Sequence, residues 1–415
     1  MKSGKPRGAD DGSGSRRAAL QLLDAVLRRG QTLDAAAQRF TGPDRALALA
    51  IAGETIRRLR EIDGLIDSVT RLRLADDAKA RMVLRLALAQ KLALHVPDHA
   101  IVTTALPLVE GGPRRLVHGV LGTLLRRNPT PSEASALPAA VEHRWTLAWG
   151  DQVVAAARRA IVRRPPLDLS FVDPAEAADY AAGNGGVQLA ERHVRLSGGP
   201  AVTDLPGFGE GRWWVQDLAA SLPARLIPPT AERVLDLCAA PGGKTMQLAA
   251  AGHQVTALDR SASRLARLSD NLARTGLRAE TVVADAAEWN GGGFDAILLD
   301  APCSATGTFR RHPEVLYRAS PRIVAESTEL QARLLAHAAS LLRPGGVLVY
   351  AVCSLEPEEG EQIVAAQTML EPDPPTGEVI PGIMPASTGE LRLLPGTLEE
   401  QGGLDGFFIA RLVRR

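Results

Sequence analysis

The stretch "RVLDLCAAPGGKTMQLAAAGHQVTALD", residues 233–259, shows how the C-terminal half of the chain folds. Its two apolar runs, "RVLDL" and "QVTALD", are typical of buried strands. Between them lie a Pro-Gly-Gly turn and the run "GGKTMQLAAAG", which predicts a helix. A strand, a helix and a second strand in that order form the repeating unit of a parallel sheet.

The same alternation continues towards the C-terminus. Further strands are predicted in "AETVVAD", "FDAILLDAP", "VLVYAVCS" and "GFFIARLVR". Because the strands are nearly continuous apolar runs, we expect helices to cover both faces of their sheet. Residues 213–415 are therefore predicted to form an α/β domain with a Rossmann-like, mostly parallel sheet of seven strands.

The N-terminal part of the chain has a different pattern. Residues 1–15 are rich in Gly, Ser and charge and are predicted to be a disordered tail. Residues 16–130 show helical periodicity without strand alternation, which predicts an all-helical domain. The Pro- and Ser-rich run "NPTPSEASALP" opens residues 131–212, which we interpret as a linker followed by a small α/β insert.

Composition excludes several classes of protein. The chain has 415 residues with three cysteines, too few for a disulfide framework, and no C-x-x-C pair, so we expect no metal site. It has neither a signal peptide nor an apolar run of the roughly 18 residues that would predict a membrane span. We therefore expect a cytoplasmic protein without a membrane partner, and a monomer.

The charge is unevenly distributed. The formal net charge is +1, but residues 1–130 hold 22 Lys+Arg and 13 Asp+Glu, a net charge of +9, and the remainder carries −8. Such asymmetry indicates an anionic partner for the basic part, although solvated helix faces are the simpler explanation. Charge alone favours nucleic acid modestly.

Three predicted strand ends carry residues suited to S-adenosylmethionine. The first leads into a turn in which Gly242 and Gly243 allow close backbone approach and Pro241 stiffens the chain. The turn is neither a dinucleotide fingerprint nor a nucleotide-triphosphate loop. Asp259 ends the second strand, where an acid holds ribose hydroxyls, and Asp285 follows the third, where it can accept from an adenine amino group.

Lys244 follows this turn and is the only lysine after Lys91 in a chain that otherwise uses arginine. Chance composition is one explanation. The functional explanation is a compact ammonium directed into the pocket for cofactor or substrate.

The fourth and fifth strands lead to two thiols, Cys303 in "LLDAPCSATG" and Cys353 in "YAVCSLEPEEG". Methyl transfer to C5 of cytosine requires a thiol, because a thiolate added to C6 makes C5 nucleophilic. Asp300 is placed to hydrogen-bond N3 of such a base. Neighbouring strands would bring the thiols together, but the residues alone do not say which one attacks. Cys238, at the first strand, is better explained as a small buried hydrophobe.

At these residues the sequence resembles the bacterial Sun/Fmu type of ribosomal RNA cytosine-5 methyltransferase. That type joins a NusB-like helical domain to a NOL1/NOP2/Sun catalytic domain. The resemblance rests on "DLCAAPGGKT", "ALDRSASRL", "VVADAAEW", "LLDAPCSATGTFRRHPEV", "YAVCSLEPEEGEQIV" and "DGFFIARL", in this order across residues 213–415. The N-terminal match is one of helical character and position only.

The resemblance implies that Cys353 is the nucleophile and that Cys303 promotes product release. It implies S-adenosylmethionine as cofactor and a cytosine of small-subunit (16S) ribosomal RNA as substrate. The implied cofactor-binding residues are Cys238, Ala239, Ala240, Pro241, Gly242, Gly243, Lys244, Asp259, Asp285 and Asp300. Members of the family commonly show a Leu-Arg-Val-Asn-like strand where this chain reads "PPLDLSFVD", so an arginine able to touch RNA is missing there.

RNA contacts are predicted next to the catalytic loop. Arg310 and Arg311 follow it in "FRRHPEV", where phosphate contact is at least as good an explanation as solvated charge. Lys244 is a further candidate for contact with RNA. Two alternatives remain open: the same chemistry on transfer RNA, and a non-catalytic RNA-binding factor for ribosome assembly.

Overall fold

The computed structural model describes residues 12–198 and 201–415. Its helices are α1 (Ser13–Leu27), α2 (Leu33–Ala37), α3 (Pro43–Arg57), α4 (Leu59–Asp67), α5 (Lys79–Leu94), α6 (Asp98–Ala105), α7 (Gly111–Arg127), α8 (Ala139–Trp149), α9 (Asp151–Val162), α10 (Pro174–Gly183), α11 (Leu218–Arg225), α12 (Gly243–Ala250), α13 (Ala262–Thr275), α14 (Val315–Arg318), α15 (Pro321–Leu341) and α16 (Glu361–Ala366). Its strands are β1 (Leu167–Phe171), β2 (Gly186–Ala190), β3 (His193–Leu196), β4 (Trp213–Val215), β5 (Arg233–Leu237), β6 (Gln254–Asp259), β7 (Glu280–Val283), β8 (Phe294–Asp300), β9 (Leu342–Val352), β10 (Glu371–Pro372), β11 (Glu390–Leu393) and β12 (Phe407–Val413).

The chain divides into two compact units. The first comprises residues 1–164 together with 309–318, and the second comprises residues 165–308 and 319–415. Helices α8 and α9 therefore belong to the first unit and not to the predicted region of linker and insert, residues 131–212. Helix α1 already begins at Ser13, so the predicted disordered tail is wrong for residues 13–15, and its residues 1–11 lie outside the described part.

The first unit is helical, as predicted. Its central helix α5 is buried along most of its length, including two arginines. Arg81 contacts Asp63 and Asp67 at 3.1 and 2.6 Å, and Arg85 contacts Asp63 at 2.7 Å. Buried arginines need such carboxylate partners because desolvating an unpaired charge is costly. These two arginines are therefore structural and do not face solvent.

Residues 309–318 leave the second unit and pack within the helical one. The ring of Phe309 lies 5.6 Å from that of Trp145, and both side chains are almost completely buried. The buried carboxylate of Glu314 accepts a hydrogen bond of 3.1 Å from the backbone N–H of Leu33. This segment, which directly follows the predicted catalytic loop, thus has its core contacts in the helical unit.

The second unit contains two sheets. The smaller one is antiparallel, has the order β2-β3-β1-β4 and packs against α10, which gives the predicted α/β insert. The larger one has the order β10-β12-β9-β8-β5-β6-β7, with β11 beside β12. Strands β5 to β9 run parallel, and the last three are antiparallel additions at one side.

The larger sheet is mostly parallel, as predicted, but has eight strands rather than seven. The short strands β10 and β11 lie in a Pro- and Gly-rich region whose sequence shows no strand periodicity. Both faces of the sheet are buried, since consecutive residues such as Leu298 and Leu299 enter two different apolar clusters. Strand β5 lies between β8 and β6, where the order of the sheet reverses, and ligands bind at such a position beyond the carboxyl ends of the strands.

Candidate active site

Two thiols meet at the carboxyl edge of the larger sheet. Strands β8 and β9 are parallel neighbours, with Asp300 opposite Ala351, so the segments that follow them leave the sheet side by side. The Sγ atoms of Cys303 and Cys353 lie 3.5 Å apart, which confirms the predicted convergence. Both cysteines are partly exposed free thiols. A pair this close can share one proton, with one sulfur holding it for the other.

Lys244 lies beside this pair. Its Nζ atom is 2.7 Å from Oδ2 of Asp300, and its side chain is only 11% exposed. Burial alone would lower the pKa of Lys244, but the negative charge of Asp300, with smaller contributions from Cys353 and Asp236, raises it. Lys244 therefore remains an ammonium beside the two sulfurs.

Cys303 has the opposite environment. Its hydrogen bond to Cys353, followed by burial and by the charges of Cys353 and Glu359, raises its pKa well above the usual value. Cys303 therefore resists ionisation, and the ammonium of Lys244 lies on the side of Cys353. The raised pKa disfavours Cys303 as the attacking sulfur, and this argument does not depend on the family resemblance.

The loop that joins β5 to α12 contains the predicted cofactor turn. Gly242 has φ 106°, and a Cβ atom there would lie 2.6 Å from Cγ of Leu268, so only glycine fits. Cys238 ends the strand with φ 61°, and burial, with the nearby carboxylates, raises its pKa to about 12. Such a thiol is unreactive, as its interpretation as a hydrophobe predicts. The predicted cofactor-binding segment runs from the turn into the first residues of α12 and comprises Cys238, Ala239, Ala240, Pro241, Gly242, Gly243 and Lys244.

A cavity of about 120 Å³ lies at the same edge of the sheet. Its lining residues are Cys238, Asp259, Arg260, Arg264, Asp285, Ala286, Pro302, Leu330 and Leu334. Two carboxylates suited to hydroxyl and amino groups therefore meet apolar side chains suited to a purine. This combination fits the adenosine part of S-adenosylmethionine. Asp300 does not line the cavity and lies instead with Lys244 on the side of the thiols.

Sequence reasoning missed Arg264. Its guanidinium lies 3.2 Å from Oδ2 of Asp259 and also donates to the backbone oxygen of Ala240. Asp259 further accepts from the backbone N–H groups of Ala240 and Ser261, at 3.2 and 2.9 Å. A signal was present, because an arginine in the first turn of a helix opposes the helix dipole and so suggests another role.

Arg310 does not occupy the predicted position. Its side chain is only 5% exposed, and its backbone oxygen accepts a 2.8 Å hydrogen bond from Arg57 within the helical unit. The predicted phosphate contact of Arg310 is therefore wrong, since the segment around it packs into a core. Arg311 is half-buried, and its contact with RNA stays a prediction.

The described part of the chain contains neither a metal-binding group of side chains nor a membrane-spanning helix. Among residues 12–198 and 201–415, no three His, Cys, Asp or Glu side chains form a group able to hold a metal ion. The helices of these residues are too short or too polar to cross a bilayer.

Comparison with known proteins identifies the family. A family model described as 16S rRNA methyltransferase RsmB/F matches residues 223–413, and a NusB family model matches residues 13–126. Ribosomal RNA small subunit methyltransferase B of Klebsiella pneumoniae (strain 342) is 35% identical over 428 residues, which span 96% of this chain and 97% of that protein. The chain belongs to the RsmB/F family of 16S rRNA methyltransferases.

One further relative and two solved structures are also similar to this chain. Ribosomal RNA small subunit methyltransferase B of Xylella fastidiosa (strain Temecula1) is 35% identical, covering 97% of this chain and 99% of that one. The crystal structure of PH0851 covers 99% of this chain and 100% of its own with a TM-score of 0.72; at 23% identity it supports the fold. A methyltransferase homologue from Pyrococcus horikoshii is 27% identical, with a TM-score of 0.54, over 66% of this chain and 94% of that chain.

Proposed function

We propose that this protein transfers a methyl group from S-adenosylmethionine to C5 of a cytosine in small-subunit (16S) ribosomal RNA. Support for the substrate comes from the relatives, which are named as methyltransferases of small-subunit ribosomal RNA. Support for the chemistry comes from one observation above all. Two thiols lie 3.5 Å apart at adjacent strand ends, and methyl transfer to oxygen or nitrogen would need neither.

Different residues of the cavity would bind different parts of the cofactor. The carboxylate of Asp259 would hold ribose hydroxyls, and that of Asp285 would accept from the adenine amino group. Leu330 and Leu334 provide an apolar wall for the purine. When bound, S-adenosylmethionine supplies an electrophilic methyl group.

The thiols activate the base. The Cys353 thiolate adds to C6 of the cytosine, which breaks the aromaticity of the ring and makes C5 nucleophilic. This addition places negative charge near N3, where the Lys244–Asp300 pair would stabilise it, with Nζ of Lys244 as the proton-bearing atom. After methylation, the C5 proton passes to a solvent water, the electrons of the C5–H bond re-form the C5–C6 double bond, the C6–S bond breaks, and Cys353 is released as a thiolate. Cys303 holds the shared proton beside it and promotes this release.

An assay with labelled methyl donor tests the proposal. The purified protein is incubated with S-adenosylmethionine carrying a labelled methyl group and with separate pools of 16S ribosomal RNA and transfer RNA. We expect label in 5-methylcytosine of the ribosomal pool, and nuclease digestion with mass spectrometry identifies the base. Label in transfer RNA alone would show that transfer RNA, and not ribosomal RNA, is the substrate. RNA binding without any label would support a non-catalytic assembly factor.

A further inference from the structure

Each of the two cysteines is followed by a serine, and the structure gives this pattern a reason. Oγ of Ser304 and Oγ of Ser354 lie 3.1 Å apart, so the residues after the two thiols also meet. Both hydroxyls donate to the same carboxylate oxygen, Oε2 of Glu359, at 2.5 Å each. One buried side chain thus connects the loop after β8 with the loop after β9.

Glu359 makes further contacts with both loops. Its Oε1 atom accepts from the backbone N–H of Ser304 at 2.7 Å. Gln331 lies 3.4 Å from that oxygen and donates at 2.8 Å to the backbone oxygen of Pro302, next to Cys303. The backbone oxygen of Glu359 accepts from the hydroxyl of Tyr350, near the end of β9, at 2.6 Å. Glu359 itself is 0% exposed.

We propose that Glu359 is a positioning residue that fixes the Cys303 loop to the Cys353 loop and so sets the spacing of the two sulfurs. A buried carboxylate is retained only where several donors replace its hydration, and here those donors come from both loops. The effect of these Glu359 hydrogen bonds on catalysis rests on the proposed function, but the hydrogen bonds between the two loops do not.

The charge of Glu359 acts on the same pair. The groups that face Cys303 are Cys353, Glu359 and the buried hydroxyl of Tyr350. Lys244, with Asp300, faces Cys353 instead. Glu359 contributes to the raised pKa of Cys303 behind the effects of Cys353 and burial. Removing its charge while keeping its shape should therefore let Cys303 ionise at lower pH.

The test compares three variants with the wild-type chain. Glu359→Gln keeps the size and most hydrogen bonds but removes the charge, and Glu359→Ala removes the hydrogen bonds between the loops. Glu358→Gln is the matched control, because it removes the same charge from the adjacent, exposed position. Alkylation of Cys303 and Cys353 by iodoacetamide is followed between pH 6 and 10 by peptide mass spectrometry, alongside thermal unfolding and methylation kinetics.

For Glu359→Gln we expect folding like the wild type and alkylation of Cys303 at least about three-fold faster at pH 8, because a like charge has been removed. For Glu359→Ala we expect kcat to fall about 100-fold with an RNA KM within about two-fold, as misplaced reacting groups produce. Glu358→Gln should match the wild type. The proposal is overturned if Glu359→Gln and Glu358→Gln show the same alkylation profile and Glu359→Ala keeps the wild-type kcat.

Failure of this inference is distinguishable from failure of the proposed function. Cysteine alkylation requires neither RNA nor methyl donor, so it reports on the role of Glu359 even if no RNA is methylated. If the wild-type chain methylates cytosine while the Glu359 variants behave like the control, the positioning role alone is rejected.

Discussion

At the scale of single residues, the site depends on where charge lies around the two sulfurs. Lys244 places an ammonium on the side of Cys353, and Glu359 places a carboxylate on the side of Cys303. In the proposed mechanism, these opposite charges give two chemically identical side chains different roles. The same principle, different environments for paired groups, assigns acid and base in many enzymes.

Replacing Lys244 tests this charge separation. Lys244→Met keeps the length of the side chain but removes the ammonium, so Asp300 loses its partner and the negative charge that develops near N3 of the base is no longer stabilised. We expect kcat to fall about 100-fold at every pH from 6 to 9, because the ammonium stabilises this charge only during the reaction. Methylation rates measured from pH 6 to 9 provide the test.

The control for this prediction is Lys91→Met. Lys91 also forms a 2.8 Å ion pair with an aspartate, Asp98, but it lies in the helical unit. We expect the control to keep the wild-type rate and pH profile. A Lys244→Met enzyme with the same rates as this control would contradict the proposed role of the ammonium.

The sequence predicts that the two cysteines meet, but it does not predict the burial of Arg310 or the contacts of Glu359. Cys303 and Cys353 could be brought together because parallel neighbouring strands end at one edge, a rule that needs no side-chain detail. The burial of Arg310 could not be predicted, because it depends on a return of the chain into the helical unit. Glu359 was hidden among four glutamates in "LEPEEGE", where only its tertiary contacts distinguish it.

At the scale of elements, periodicity predicted the strands that carry the site. Strands β5, β6, β8 and β9 are apolar and buried, and the apolar run in each segment predicts a strand. Strands β10 and β11 were missed because they are short and pair only with β12, which supplies their hydrogen-bonding partners. The pattern of apolar residues within a short segment cannot show which distant strand that segment pairs with.

The loop after β8 also depends on contacts distant in sequence. The backbone N–H of Gly307 donates to the oxygen of Cys353 at 3.0 Å, and its own oxygen accepts from Gly406 at 2.9 Å. A Cβ atom at Gly307 would lie 2.0 Å from the oxygen of Gly406, which excludes any other residue. The three sequence motifs that contain Gly307, Cys353 and Gly406 therefore meet around one glycine.

At the scale of the whole molecule, the arginines that make residues 1–130 basic fall into a buried group and an exposed group. Several arginines of the helical unit are buried and structural; they are Arg16, Arg57, Arg58, Arg81 and Arg85. Others are exposed, including Arg114 and Arg115 near the start of α7, where no acidic residue accompanies them in the first turn. Positive charge at a helix N-terminus opposes the helix dipole, so these two residues do not stabilise α7. Because they are exposed and lie in the part of the chain with net positive charge, we expect them to contact RNA.

Neutralising this pair tests the RNA-binding role of the helical unit. The double variant Arg114→Gln/Arg115→Gln should unfold at the wild-type temperature or slightly above it, because an unfavourable charge has been removed. It should bind 16S ribosomal RNA more weakly, and the slope of log K against log salt should decrease in magnitude by about 1.4 to 1.8. Filter binding at several salt concentrations measures this slope.

A charge-matched control is available on α15 of the other unit. Arg322→Gln/Arg333→Gln removes two exposed arginines from a part of the chain whose net charge is negative. We expect this variant to keep the wild-type slope. If both double variants change the slope equally, the basic helical unit has no special role in binding.

The most direct test of the whole account is the fate of the covalent RNA adduct in the two cysteine variants. Cys303→Ala and Cys353→Ala are each incubated with 16S ribosomal RNA and S-adenosylmethionine and then resolved on a denaturing gel. We predict that Cys303→Ala accumulates a protein–RNA adduct and that Cys353→Ala forms none and has no turnover. An adduct in Cys353→Ala but not in Cys303→Ala, or methylation retained by Cys353→Ala, would contradict the account.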